Sequence, residues 1–185
     1  MNIDPNILRA CADGDRRAQN ELYRVCYSPL MSVCMRYKQD RDDAAGMLNV
    51  GFLKILQNIS KYDPSTPFVA WIKRIMINTM IDDYRKGRKD RIIEHRDFSE
   101  PQFDADGIDF NQADKEFDAD QIRSIINELP NMTLKVFNLY AIDGYSHKEI
   151  AQMLGMSDGT SKWHLSNARQ KIKEQLKIRL GIVGN

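Results

Sequence analysis

Ser146 and Glu149, followed by Gly155 and Ser157, restrict this chain more than any other group of its residues. A serine with a glutamate three positions later can cap a helix reciprocally: the hydroxyl takes a helix amide and the carboxylate returns to the serine amide. A helix therefore starts at His147, with Ile150, Ala151 and Leu154 as its buried stripe. Gly155 is the residue type that adopts the left-handed conformation of a helix stop, and Ser157 can cap a second helix running to about Leu180. A short helix, a Gly-x-Ser turn and a longer helix form a helix-turn-helix arrangement. The small Ala151 lets the two helices approach, and the first then braces the second, whose N-terminal residues can enter a DNA major groove.

The second helix carries suitable chemistry. Thr160, Ser161 and the amides around Ser157 can hold a phosphate at the positive end of the helix dipole. Lys162, His164 and Asn167 can reach base edges or phosphates, and Arg169, Lys171 and Lys173 add attraction to the backbone. Trp163 stands at helical spacing from Leu165 and Ile172, so a place partly in the core is open to it. The competing reading is a plain helical hairpin with a solvated basic face.

Net charge is +1 over 185 residues, which by itself argues against a nucleic-acid partner. The distribution argues otherwise. Residues 71–93 hold seven Lys/Arg and three Asp, a balance of +4, and residues 160–180 hold six Lys/Arg and one Glu, a balance of +5. Between them, residues 94–120 hold two Lys/Arg and ten Asp/Glu, a balance of −8. Local potential decides what a surface attracts.

Apolar spacing is helical almost throughout, and no segment alternates as a strand would. Asp4-Pro5 reads as a cap and first-turn proline of a short helix ending near Asp13-Gly14. A long helix follows from Asp15, with Pro29 expected to kink or interrupt it. Asp42 or Asp43 is expected to start the next helix, whose stripe is Met47, Leu48, Phe52, Ile55, Leu56 and Ile59. The segment KYDPSTPF reads as a loop. A helix begins at Thr66-Pro67, carries Phe68, Trp71, Ile72, Ile75, Met76 and Tyr84, and ends in the basic run YRKGRKDR, where Gly87 can break it. Residues 95–118 lose periodicity and read as an acidic linker dotted with Phe98, Phe103, Phe110 and Phe117. Those rings either pack loosely on a neighbouring helix or lie with the acidic strip along a basic groove. Four helices follow, the first over about Ala119–Glu128 and the second from Asn131 to Gly144.

The three cysteines lack CxxC spacing and read as reduced, apolar filling on helices; the three histidines form no ligand pattern. No metal or cofactor is expected. No apolar run approaches the roughly 18 residues of a membrane span, and the N-terminus lacks the basic start and apolar stretch of a secretory signal, so a cytoplasmic protein without membrane insertion is expected. No nucleophile–base set or phosphate-cradling glycine loop supports an enzyme.

Two segments carry a resemblance. DDAAGMLNVGFLKILQNISKYDPSTPFVAWIKRIMINTMIDDYRKGRK is similar to region 2 of bacterial sigma-70 family factors of the extracytoplasmic-function (ECF, group IV) type. ELPNMTLKVFNLYAIDGYSHKEIAQMLGMSDGTSKWHLSNARQKIK is similar to their region 4. The resemblance implies an all-α chain of two small helical domains: 1–94 as region 2, 95–118 as the acidic linker and 119–185 as region 4. It also implies binding to the clamp and flap of core RNA polymerase, opening of the promoter minus-ten element by region 2, reading of the minus-thirty-five element by region 4, and restraint by an anti-sigma factor. Phe52, Leu53 and Lys54 match the end of the family's clamp-binding helix. Where the family usually shows acidic residues and a Gln-Glu pair, this chain has Ala45, Gly46, Asn49 and Val50, which leaves Asp42 and Asp43 as the nearest carboxylates. Asp63, Pro64 and Phe68 through Trp71 match the loop and helix start beside the melted strand, and Asn78, Asp82 and Arg85 match a polar face on the next helix.

The resemblance and the chemistry agree on a melting surface. Strand opening without ATP requires a pocket for an extruded base and cations for the freed strand. Lys61, Tyr62 and Asp63 in the loop, Phe68 and Trp71 beside it, Asn78, and the cations Lys73, Arg74, Arg85 and Lys86 supply such parts. Phe68, Trp71 and Ile75 can equally be core. Promoter recognition with core polymerase is therefore expected, and a stand-alone helix-turn-helix regulator is the alternative.

Overall fold

Short polar side chains set the helix starts in the computed structural model, which describes residues 3–88 and 119–179. The acidic linker and its four phenylalanines lie outside the described residues. The chain divides into two units, Met1–Ile93 and Glu94–Asn185. Among the described residues all regular structure is helical, and no helix is long and apolar enough to cross a membrane.

In the first unit, Asp4 accepts the Asn6 amide at 2.8 Å and opens α1 (Pro5–Ala12). Gly14 turns the chain at φ +85°, and Asp15 accepts the Ala18 amide at 2.7 Å to start α2 (Arg16–Tyr37). Helix α2 runs on through Pro29, so the proline does not interrupt it. Leu22, Cys26, Leu30, Val33 and Cys34 stay on one buried face across the proline, and that shared burial outweighs one lost backbone hydrogen bond. The cap of α3 (Arg41–Asn58) is Asp40, which accepts the amides of Asp42 and Asp43 at 2.9 Å each. The helix thus begins one to two residues before the expected start, and both aspartates occupy its first turn, where the dipole favours them.

Ala44, Leu48, Gly51, Phe52 and Ile55 form the buried face of α3. A 3-10 turn, Ile59–Lys61, leads to the loop before α4 (Phe68–Arg88). Helix α4 extends to Arg88, one residue past Gly87 and inside the basic run where the sequence reading ends it. Phe68, Ile72, Met76, Ile77, Met80 and Ile81 close the core. All three thiols are buried, and burial pushes Cys26 up to about 12 and Cys34 to about 11, consistent with unreactive filling.

The second unit holds α5 (Ala119–Asn127) and α6 (Asn131–Phe137), separated by Pro130. Helix α6 continues into a π turn, Asn138–Ile142, before Gly144 reverses the chain at φ +77°. Then come α7 (His147–Leu154) and α8 (Asp158–Arg179). Ile125, Val136, Leu139, Ile150, Leu154, Leu165, Ala168, Ile172 and Leu176 are buried. Arg179 reaches Glu128 at 2.7 Å and ties the end of α8 to the loop after α5.

Candidate nucleic-acid interface

The turn between α7 and α8 forms as its capping residues dictate. The Ser146 hydroxyl accepts the Glu149 amide at 3.3 Å, and the Glu149 carboxylate accepts the Ser146 amide at 2.9 Å. Gly155 ends α7 at φ 65°, ψ 50°. Ser157 Oγ accepts the Thr160 amide at 3.0 Å and lies 2.8 Å from the Thr160 hydroxyl.

Two side-chain pairs then fix α8 against its neighbours. His147 Nδ1 lies 2.9 Å from Ser161 Oγ, with the Tyr140 ring stacked on the imidazole at 4.4 Å. His164 Nδ1 lies 3.0 Å from Thr133 Oγ1 on α6. Burial pushes the His164 pKa down to about 4. His147 is lowered as well, by burial first; Asp158 opposes the shift, and Lys162 and Arg169 reinforce it. Both rings are therefore neutral at pH 7.

These bonds correct the outward orientation expected for part of the second helix. Ser161 is 0% exposed, and its hydroxyl is engaged by His147; it stands four residues before Leu165 and seven before Ala168, on the buried stripe. His164 turns toward α6 instead of solvent. Trp163 is half-buried, edge-on to His164 at 4.9 Å. Asn167 is half-buried, and its buried Oδ1 has no hydrogen-bond partner. The solvent-facing set is Ser157, Lys162, Arg169 and Lys171, with Thr160 half-buried beside them. Lys162 is ion-paired at 2.9 Å to Asp158, one turn earlier.

In the first unit, the loop before α4 is ordered by its own polar groups. Asp63 accepts the Ser65 amide at 2.9 Å and its hydroxyl at 2.7 Å, bonds that hold the Asp63 pKa below the usual carboxylate range. Tyr62 donates to the Thr66 carbonyl at 2.7 Å, and Lys61 donates to Asn58 at 3.3 Å. The Tyr62, Phe68 and Trp71 rings meet with centroids 5.1 to 5.7 Å apart. Phe68 is the buried member and belongs to the core, not to a base-contacting surface. Tyr62 and Trp71 are half-buried. Along α4, Arg74, Asn78, Asp82, Arg85 and Lys86 face solvent, with Lys73 half-buried. Ile72, Met76 and Met80 occupy the opposite face.

On α3, Asp42, Asp43 and Asn49 are exposed, and Asn49 accepts from Tyr23 at 2.9 Å. Phe52 is turned inward, edge-on to Tyr23 at 5.0 Å, so it is not available as a contact for a partner. Lys54 pairs with Asp82 of α4 at 3.1 Å. Of the clamp-matching triplet it is Leu53 that faces solvent, together with Val50, which the sequence reading named only as a departure from the family pattern. Val50 and Leu53 are 48% and 56% exposed. Their helical phase was the available signal: they fall between the inward positions Leu48, Phe52 and Ile55, on the opposite side of α3.

Comparison with known proteins gives one consistent picture. A family model described as ECF sigma factor matches residues 4–178. The RNA polymerase sigma factor SigZ of Bacillus subtilis (strain 168) is 26% identical over 161 residues, covering 84% of this chain and 85% of the relative. The ECF RNA polymerase sigma factor SigW of the same organism is 25% identical over 171 residues, covering 89% of this chain and 91% of the relative. Among solved structures, the sigma factor RpoE in complex with the anti-sigma factor NepR from Bartonella quintana shares the fold. Its TM-score is 0.50 at 18% identity, over 86% of this chain and 96% of that one.

Proposed function

The chain belongs to the ECF sigma factor family, and on that premise we propose how its two units divide the work of promoter-specific initiation with core RNA polymerase. The second unit reads the upstream, minus-thirty-five element through the N-terminal half of α8. Lys162 supplies base-edge contact, Ser157 and Thr160 face the phosphate at the helix end, and Arg169 and Lys171 follow the backbone. Asn167 joins them by rotating its amide out of the site that leaves Oδ1 without a partner.

The first unit opens the minus-ten element. Loss of stacking costs about 1–2 kcal/mol per step, and aromatic contact returns about 1–3 kcal/mol per base. Tyr62 and Trp71 offer such contact, Asn78 offers hydrogen bonds to an unpaired base, and Lys73, Arg74, Arg85 and Lys86 neutralise the freed strand. Core polymerase docks on the exposed side of α3, where Val50 and Leu53 give an apolar centre flanked by Asp42, Asp43 and Asn49. A protein covering that same centre would keep the chain off the polymerase, and an anti-sigma partner of this kind is part of the proposal. The protein acts in the cytoplasm, with promoter DNA, and carries out no chemical step of its own.

One observation carries this reading. The row Arg74–Asn78–Asp82–Arg85 faces solvent directly behind the buried row Ile72–Met76–Met80, so α4 presents a polar, cationic ridge on a fixed support. The test is transcription by purified core polymerase with and without the chain. Asn78→Ala is expected to reduce permanganate-reactive thymines while leaving initial promoter docking within about twofold. Lys162→Ala and Asn167→Ala are expected to weaken upstream-element readout by about 1–3 kcal/mol each. Tight binding to a duplex without polymerase, and no core-dependent transcription, would refute the assignment.

A further inference from the structure

We propose that Asp158 is a specificity-determining residue of the upstream-element reader: it opposes any DNA backbone that arrives without base contacts able to take over its lysine partner. The inference rests on the sigma-factor reading above. Asp158 is the first residue of α8, and its carboxylate lies 2.9 Å from the Lys162 ammonium, both groups about half exposed. Lys162 is the only Lys or Arg between Ser157 and Ala168. In the free protein, the leading cation of the reading face is therefore neutralised by the leading anion. The same two charges reach the adjoining helix, where they act in opposite senses on His147.

The end of α8 sharpens the conflict. The Thr160 amide goes to Ser157 Oγ and the Ser161 amide to the Ser157 carbonyl. Helix geometry leaves the amides of Asp158 and Gly159 pointing out of the helix end, where a DNA phosphate would dock. A phosphate at those amides meets the Asp158 carboxylate, and like charges at that range repel. Lys162 can offset one of the two anions but not both.

The sequence beneath α8 decides the outcome. A guanine offers Lys162 its O6 and N7, and a cytosine amino group offers Asp158 a donor. Over such bases the ion pair is replaced by two base contacts. Over other bases the pair must either persist against the phosphate or break without replacement. A charge that penalises the wrong partner raises discrimination without tightening the right complex. An aspartate that only complemented the helix dipole would leave discrimination unchanged.

The experiment uses the full chain assembled with core polymerase and a duplex library randomised over the upstream element. Affinities are then compared for the selected duplex and one with that element scrambled. For Asp158→Asn, affinity for the scrambled duplex should rise about tenfold and for the selected duplex less than about threefold, so the ratio falls at least about threefold. Asp158→Glu can still pair with Lys162 one turn away and should keep the wild-type ratio. An unchanged ratio for Asp158→Asn, or equal shifts on both duplexes, overturns the proposal whatever happens to thermal stability. Failure of the wild-type holoenzyme to enrich any upstream sequence overturns the underlying sigma-factor reading, and the proposal with it.

Discussion

The contact between Gly51 of α3 and Met76 of α4 is tight enough to predict a measurable coupling. A Cβ on Gly51 would lie 2.4 Å from Met76 Sδ and 2.7 Å from its Cε, about 1 Å inside ordinary carbon contact. Met76 is 0% exposed, so the end of its side chain cannot swing into solvent. Overpacking of this size costs about 1–3 kcal/mol. Alanine in place of an interior helical glycine returns about 1 kcal/mol. Gly51→Ala alone should therefore destabilise by about 0–2 kcal/mol, too broad a range to test the contact. The double-mutant cycle is decisive. Met76→Ala alone should cost about 2–5 kcal/mol, whereas in the Gly51→Ala background it also relieves the overlap and should cost less by about 1–3 kcal/mol. Urea unfolding can be followed by Trp71 fluorescence in a Trp163→Phe background, because the chain has two tryptophans, one in each unit. A coupling below about 0.5 kcal/mol would show that α3 and α4 separate freely and that the described contact is wrong.

Three further outcomes follow from named groups. Between pH 6.5 and about 4 the unfolded chain takes up a proton that folded His164 refuses. Its contribution to stability is therefore full above that window and lost as pH falls through it. His164→Gln should flatten that part of the pH profile, and parallel urea midpoints for wild type and variant would contradict it. Ser146→Ala removes one half of the capping box and should lower the stability of the second unit by about 1 kcal/mol, read from Trp163 fluorescence during urea unfolding; an unchanged midpoint would count against the cap. Leu53→Asp sits at 56% exposure and should change folding stability by less than about 0.5 kcal/mol, yet lower affinity for core polymerase at least about tenfold; equal binding of variant and wild type would remove α3 from the docking surface.

Four of the helix starts were legible because caps act locally. Asp4, Asp15, Ser146 and Ser157 each bond an amide two or three residues away, and no distant residue has to be known. An interruption at Pro29 was the wrong half of the expectation for the complementary reason: the local cost is real, but burial on both sides of Pro29 outweighs it. On α8 the residue types hid the phase. Ser161 and His164 look like solvent-facing polar groups, yet each finds its partner on another helix, His147 and Thr133, and such pairings cannot be read from spacing along one helix. Phe52 falls on the apolar stripe read from phase, four residues after Leu48 and three before Ile55, both 0% exposed, and that placement holds over its match to the clamp-binding end. Val50 and Leu53 are the reverse case, apolar residues whose phase points outward, a mismatch that the proposed polymerase contact would account for.

The polar ridge of α4 owes its direction to the apolar face behind it rather than to its flanking ion pairs. Lys38, just past the end of α2, holds Asp83 at 2.8 Å, and Lys54 of α3 holds Asp82 at 3.1 Å. All four side chains are more than a quarter exposed, and pairs of that kind contribute about 0–1 kcal/mol. The buried set Ile72, Met76, Ile77, Met80 and Ile81, at about 1.5–3 kcal/mol per fully buried side chain, is what resists rotation of the helix. The pairs instead neutralise Asp82 and Asp83, so that Arg74, Arg85 and Lys86 dominate the local field. If α4 captures the opened strand as proposed, it gains from this arrangement. Its cations and Asn78 are already aligned, and little of the interaction is lost to ordering side chains when the strand arrives.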